Sequence, residues 1–83
     1  MYYLEASYEK DGKIVEIQHQ TDHPLFHELS EAKAKALTLC KWLLSTGADK
    51  TTTVSIYSTE EKEPVWDTGA QQGVLAYAES LGW

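Results

Sequence analysis

The 83-residue chain predicts an α+β fold, a two-layer ββαββα sandwich. Its four-stranded antiparallel sheet takes the order 2-1-3-4, with the main helix on one face and a short helix at the C-terminus. Three observations lead there. Ser30 to Gly47 carries apolar residues at helical spacing, Asp11-Gly12 separates two alternating stretches, and Thr51 to Thr59 is rich in the β-branched residues that strands favour.

The hairpin comes first. A two-residue type I′ turn needs positive φ at both central positions, which Asp and Gly accept at low cost. With Asp11 and Gly12 in those places, Tyr2 to Glu9 pairs with Lys13 to Gln20. Tyr8 then meets Val15, Ala6 meets Ile17 and Leu4 meets His19 on one face. On the other, Glu9 meets Ile14, Ser7 meets Glu16, Glu5 meets Gln18 and Tyr3 meets Gln20. A turn chosen on local grounds thus gathers the apolar residues on one side, the consistency expected of a correct register.

Thr21 to Leu29 breaks the strand pattern at Pro24 and carries Leu25 and Phe26 toward the helix. His19, His23 and His27 recur every fourth residue with Asp22 and Glu28 nearby. A metal comb of that spacing needs one continuous helix to align the rings, and Pro24 interrupts it, so no metal ligands are expected.

The helix is predicted over Glu31 to Thr46. Ala32, Ala36, Leu37, Leu39, Cys40, Leu43 and Leu44 fall within an arc of roughly 160°, the width of a core-facing stripe. Ser30 suits the N-cap and Gly47 the left-handed residue after the last turn. Cys40, inside the stripe, reads as a small core hydrophobe. Trp42 lies about 60° beyond Leu39 toward the polar side, and either folds over the rim of the core or stands exposed as a contact residue.

Strand 3, Thr51 to Thr59, places Val54 and Ile56 inward and Ser55 and Tyr57 outward. Glu60 to Pro64 is a charged connection, and Val65 to Thr68 forms a short edge strand with Val65 favoured as the inward residue. Ala70 to Leu81 again shows helical spacing, with Thr68 or Asp67 available as a cap and Gly73 costing about 1 kcal/mol of intrinsic propensity relative to Ala. Trp83 follows. A right-handed crossover from strand 2 lets strand 3 lie beside strand 1, which gives the sheet order. A chain this short forms one domain, 1–83, with a stability of about 4 to 12 kcal/mol by per-residue scaling.

Composition narrows the function. Thirteen acidic residues outnumber seven bases, all of them Lys. Direct nucleic-acid binding is disfavoured, since the bidentate contacts to guanine and phosphate come largely from Arg, which the chain lacks. A single Cys excludes an internal disulfide, and the opening MYYLEASYEKDG has neither the basic nor the apolar region of a secretion signal. No stretch reaches the length of a membrane span. These features point to a cytoplasmic protein without membrane contact. Walker and Rossmann glycine loops, Cys-x-x-Cys, Gly-x-Ser-x-Gly and His-Glu-x-x-His are all absent, so no cofactor and no catalytic residues are expected.

With one helix layer over one side of the sheet, the other side is open. It carries Tyr3, Glu5, Glu16, Tyr57 and Trp66 among its acids and hydroxyls, and aromatics set among acids suit a recognition surface. These five residues and Trp42 are the expected partner-binding set. The partner is another protein, basic by charge complement, or a second copy making a homodimer. An alternative from another class is a small hydrolase or metal site built on His19, His23 and His27.

The order hairpin, then a helix entered through Leu29-Ser30-Glu31-Ala32, then strand, resembles the antitoxin domains of the HicB class. It also resembles small ββαββ modules that include phage-encoded inhibitors of bacterial defence. The resemblance covers about half the chain by element order. The Pro-Gly-Cys turn that the HicB pattern places before its helix is absent, so no membership is claimed. What the resemblance implies is an inhibitor that blocks a basic nucleic-acid-binding site on its partner.

Overall fold

Alternation along the N-terminal stretch makes it a strand with two unlike faces. The computed structural model describes residues 1–17, 25–68 and 73–82, and shows this stretch as β1 (Tyr2–Lys10). The chain returns as β2 (Lys13–Glu16) through Asp11 and Gly12, whose φ angles of 54° and 77° are those of the expected turn. Tyr8 pairs with Val15, Glu9 with Ile14 and Ser7 with Glu16. The Ile17 N–H donates to the Ala6 carbonyl at 2.7 Å and carries the ladder one step further. The expected pairings that involve Gln18, His19 and Gln20 lie outside the described residues.

β3 (Thr53–Ser58) runs antiparallel to β1, with Leu4 opposite Ile56 and Ala6 opposite Val54. β4 (Pro64–Asp67) completes a sheet in the order β2-β1-β3-β4, as the sequence predicts. α1 (Leu29–Thr46) and α2 (Val74–Ser80) make the second layer. Leu4, Ala6, Val54 and Ile56 from the sheet meet Ala32, Ala36, Leu39, Cys40 and Leu43 from α1, and Val74 of α2 joins the same cluster. Ala6, Ala32, Ala36 and Cys40 are completely buried, so the helix is seated on the sheet through its smallest side chains. Each large aliphatic residue in this core contributes about 1.5–3 kcal/mol through burial.

Three boundaries differ from the sequence expectation, each for a local reason. α1 begins at Leu29, two residues before the predicted start. Glu28, extended at φ −107° and ψ 138°, is its N-cap, and the first bond runs from the Ala32 N–H to the Glu28 carbonyl at 3.2 Å. Leu29 packs on the core, and that packing draws Ser30 inside the helix. At the other end Gly47 is left-handed at φ 114°, as predicted, and the N–H groups of Gly47 and Ala48 both reach the Leu43 carbonyl.

The second difference is in β4. Ile56 pairs with Trp66 and Tyr57 with Pro64, which leaves Val65 as the extra residue of a bulge. Val65 and Trp66 both pack on the core as a result, and Trp66 meets Tyr77 of α2 edge to face, with ring centroids 5.6 Å apart. Trp66 therefore belongs to the helix-covered face and not to the open one. The third difference is in α2. It starts after Gly73, which at φ 98° and ψ 179° cannot be a helical residue, while residues 70–72 lie outside the described set.

Thr68 explains how α2 is attached. Its N–H donates to the Val54 carbonyl at 3.0 Å, and the Val54 N–H donates to the Thr68 hydroxyl at 3.1 Å. A side-chain oxygen thus stands in the ladder where a carbonyl would normally be. The Thr68 carbonyl is left to accept from the Gly73 N–H at 3.0 Å, and the next amide, Val74, donates to the Thr52 carbonyl at 2.8 Å. The helix start is fixed by backbone bonds, with neither Thr68 nor Asp67 capping it through a side chain.

Two stability predictions result. A Cβ on Gly73 would lie 2.9 Å from the carbonyl oxygens of Lys50 and Thr52, both backbone atoms, in addition to the cost of positive φ. Gly73→Ala should therefore destabilise the fold by more than about 1 kcal/mol in urea denaturation, opposite in sign to the gain that helix propensity alone gives. Thr68 is fully buried, and Thr68→Val should cost about 1–3 kcal/mol despite its matched shape, because it leaves the Val54 N–H without an acceptor.

Candidate functional site

Strand register decides which side chains share the uncovered face. Partners across an antiparallel ladder point the same way, so Leu4, Ala6, Val54, Ile56 and Trp66 define the helix side and the alternate residues define the other. Three rows cross the open face. The first is Tyr3, Tyr57 and Pro64, the second Glu5, Ser55 and Asp67, and the third Glu16, Ser7 and Thr53; beyond it Ile14 lies beside Glu9. Both helices pack on the opposite side, and no described element lies over these rows.

The first row is aromatic. Tyr3 and Tyr57 stack with ring centroids 5.5 Å apart and planes 16° from parallel. Such a pair contributes about 0.5–1.5 kcal/mol beyond its area, and fixes both rings in one orientation. Burial and then the carboxylate of Glu5 push the Tyr57 phenol above its ordinary pKa, with smaller contributions from Tyr3 and Asp67. Glu5 and Asp67 are thus close enough to act on the Tyr57 ring electrostatically. They occupy the two strands flanking Ser55, roughly 10 Å apart by strand spacing.

The face is acidic throughout. Its strand positions hold the carboxylates of Glu5, Glu9, Glu16 and Asp67 and no lysine, while Lys10 and Lys13 pair with each other on the helix side. Glu16 stands two rows from the tyrosines, about 13 Å along the strand direction. Of the six residues expected to bind a partner, Tyr3, Glu5, Glu16 and Tyr57 share this face, Trp66 is half-buried against the core on the helix side, and Trp42 is on α1, on the other side of the molecule.

Asp67 is the residue the sequence reading missed. Placing Val65 inward put Trp66 out and Asp67 in, and the bulge reverses that. One signal pointed the right way: an inward Asp67 would bury a carboxylate, which costs far more than turning a Trp inward gains.

Trp42, 46% exposed, stands beside a cleft of about 250 Å³ between the C-terminal turn of α1 and the core side of the first hairpin. Tyr8 and Ile17 of the hairpin, Trp42 and Leu43 of α1, and Gly47 and Asp49 after it are among the residues that line the cleft. Asp49 Oδ1 accepts from the Thr51 N–H at 2.7 Å and from the Thr51 hydroxyl at 2.6 Å. These bonds, the hydroxyl's first, hold the Asp49 carboxyl below its ordinary pKa. The Glu9 N–H donates to the Thr51 hydroxyl at 2.9 Å and ties this turn to β1.

The remaining candidates have other places. Cys40 is a core residue whose thiol is pushed up to about 11 by burial, so it is not a nucleophile at neutral pH. His27 is exposed, and His19 and His23 lie outside the described residues. Among the described residues no group of His, Cys, Asp and Glu is placed to hold a metal ion, and no helix is long and apolar enough to cross a membrane.

The geometry around Tyr57 yields a pH prediction. A group whose folded pKa is raised stabilises the fold below its unfolded value and loses that contribution as pH rises through the folded value. Stability should therefore decline above about pH 10, where a free tyrosine ionises. In an alkaline ultraviolet titration Tyr57 should ionise after the exposed phenol of an unfolded control, and Glu5→Gln should bring it back toward that control; an unshifted Tyr57 would contradict the row assignment. No protein-family model, no curated protein and no solved structure matches this chain.

Proposed function

We propose that this protein is a small, non-enzymatic binding module of the cytoplasm whose open sheet face docks a basic segment of another protein. One observation carries the reading: the stacked Tyr3–Tyr57 pair lies directly beside a row in which Glu5 and Asp67 flank Ser55, on a face whose strand positions hold no lysine. A lysine or arginine laid across this row sets its aliphatic stem on the Tyr57 ring and its charge between the two carboxylates. Aromatic contact and charge pairing then act on the same side chain. Glu9 and Glu16 extend the negative surface and favour approach of a basic partner at low salt.

The sharper form of this reading is an inhibitor that occupies a basic nucleic-acid-binding site and competes with the nucleic acid for it. Four carboxylates on a flat face suit that role. A second copy of the chain is the weaker occupant, because a net charge of −6 on each copy opposes association.

The test is affinity capture from host extract by the wild-type chain and by Tyr3→Ser/Tyr57→Ser. Both tyrosines lie outside the core, so the circular dichroism should not change. The double variant should lose the captured protein, at about 2 kcal/mol or more for a paired aromatic hot spot, and capture should weaken as salt is raised. Equal capture by both chains, or capture indifferent to salt, would remove the face from consideration. Trp66 is kept intact here because it supports the core.

A further inference from the structure

The Trp42 cleft lies on the helix side, and it rests on observations independent of the sheet face. Ile17, Leu43 and the aromatic rings of Tyr8 and Trp42 give it an apolar lining, and Asp49 adds a carboxylate to that lining. The last turn of α1 contributes Leu43 and Thr46 to the lining and carries the negative pole of the helix, with no basic residue in that turn. Asp49 adds a full charge, and the bonds from the Thr51 N–H and hydroxyl fix where that carboxylate sits. An apolar occupant would satisfy the apolar lining and leave the Asp49 charge uncompensated. An acidic one would be repelled. A group with an aliphatic stem and a cationic head satisfies both, with its head also within reach of the aromatic rings.

Size narrows the choice further. At about 250 Å³ the cleft is below the roughly 300–1,000 Å³ typical of small-molecule sites, and is suited to one long side chain. We infer that the cleft formed by Tyr8, Ile17, Trp42, Leu43 and Asp49 receives a single arginine or lysine side chain from a protein partner. It is a second point of basic recognition, on the side of the molecule opposite the tyrosine pair.

The test is a titration of the isotope-labelled full chain with the blocked tripeptide Ala-Arg-Ala, followed by two-dimensional NMR. Its citrulline counterpart matches arginine in shape but has no charge. The arginine peptide should shift the Trp42 indole N–H and the amides of Gly47 and Ala48 in a saturable way. The citrulline peptide should bind about tenfold more weakly or not at all, as loss of a charge-assisted contact implies. Asp49→Asn preserves an acceptor for Thr51 and removes the charge, and should weaken the arginine peptide severalfold. Trp42→Ala, at an exposed position, should do the same with unchanged circular dichroism.

Tyr3→Ser/Tyr57→Ser should leave these particular shifts intact, which separates this site from the sheet face. Equal binding of arginine and citrulline peptides would overturn the inference, as would arginine-induced shifts confined to Tyr3, Glu5 and Tyr57 or full arginine affinity in Asp49→Asn.

Discussion

Pairing of β1 with β3, with Leu4 set against Ile56 and Ala6 against Val54, is the constraint from which the rest of this protein follows. These four residues are buried and floor the whole core. Side chains alternate along a strand, so fixing them inward also fixes Tyr3, Glu5, Ser55 and Tyr57 outward. A slip of one residue would place Glu5 and Ser55 under α1 and turn Leu4 and Ile56 to water, a change no local adjustment could offset. The two-sidedness of the sheet and the membership of its open face are therefore one fact.

The helices are held to a single side by two different means. α1 is held by packing: Ala32, Ala36 and Cys40 have almost no side-chain bulk, and they meet the equally small Ala6 on the sheet. α2 is far too short to be stable by its own hydrogen bonds. It is held at its start by the backbone bonds from Gly73 to Thr68 and from Val74 to Thr52, and beyond that by the buried Val74 and Ala78 and by Tyr77 against Trp66. The bulge at Val65 matters here because it brings Trp66 to the side where Tyr77 waits. Without it the indole would face away and α2 would lose its aromatic contact with the sheet.

The difference between what the sequence disclosed and what it withheld has a physical basis. Asp11-Gly12 determined a register because few residues other than these accept positive φ twice in succession, and the apolar stripe of α1 is a signal summed over many residues. The sheet order followed from the handedness of one crossover. Single-residue events were another matter. The bulge at Val65 has no composition signature, the early start of α1 depends on packing at Leu29, and Gly73 reads as a weak helical residue unless its contact with Lys50 and Thr52 is known. Tyr3, Glu5, Glu16 and Tyr57 were assigned correctly to the open face because they sit on strands whose phase was secure. Trp66 and Asp67 were exchanged because their strand is short and irregular. The cleft at Trp42 joins residues distant in the chain and had no sequence signal apart from the position of Trp42 on the helical wheel.

Stability explains why the tyrosines are where they are, but it does not explain the acids. Aromatic residues pair well across strands and would be retained on any exposed sheet. Asp and Glu are poor strand formers, and four of them on one surface repel one another. Lysines at the same positions would relieve that repulsion, and the chain has lysines to spare, with Lys10 and Lys13 set opposite each other on the other side of the same hairpin. A distribution that keeps like charges together on both sides of the hairpin departs from the local rule that opposite charges pair across strands. Such departures are expected where a surface is shaped by what it meets. On this protein the departure is centred on the row of Glu5, Ser55 and Asp67, next to the two stacked rings.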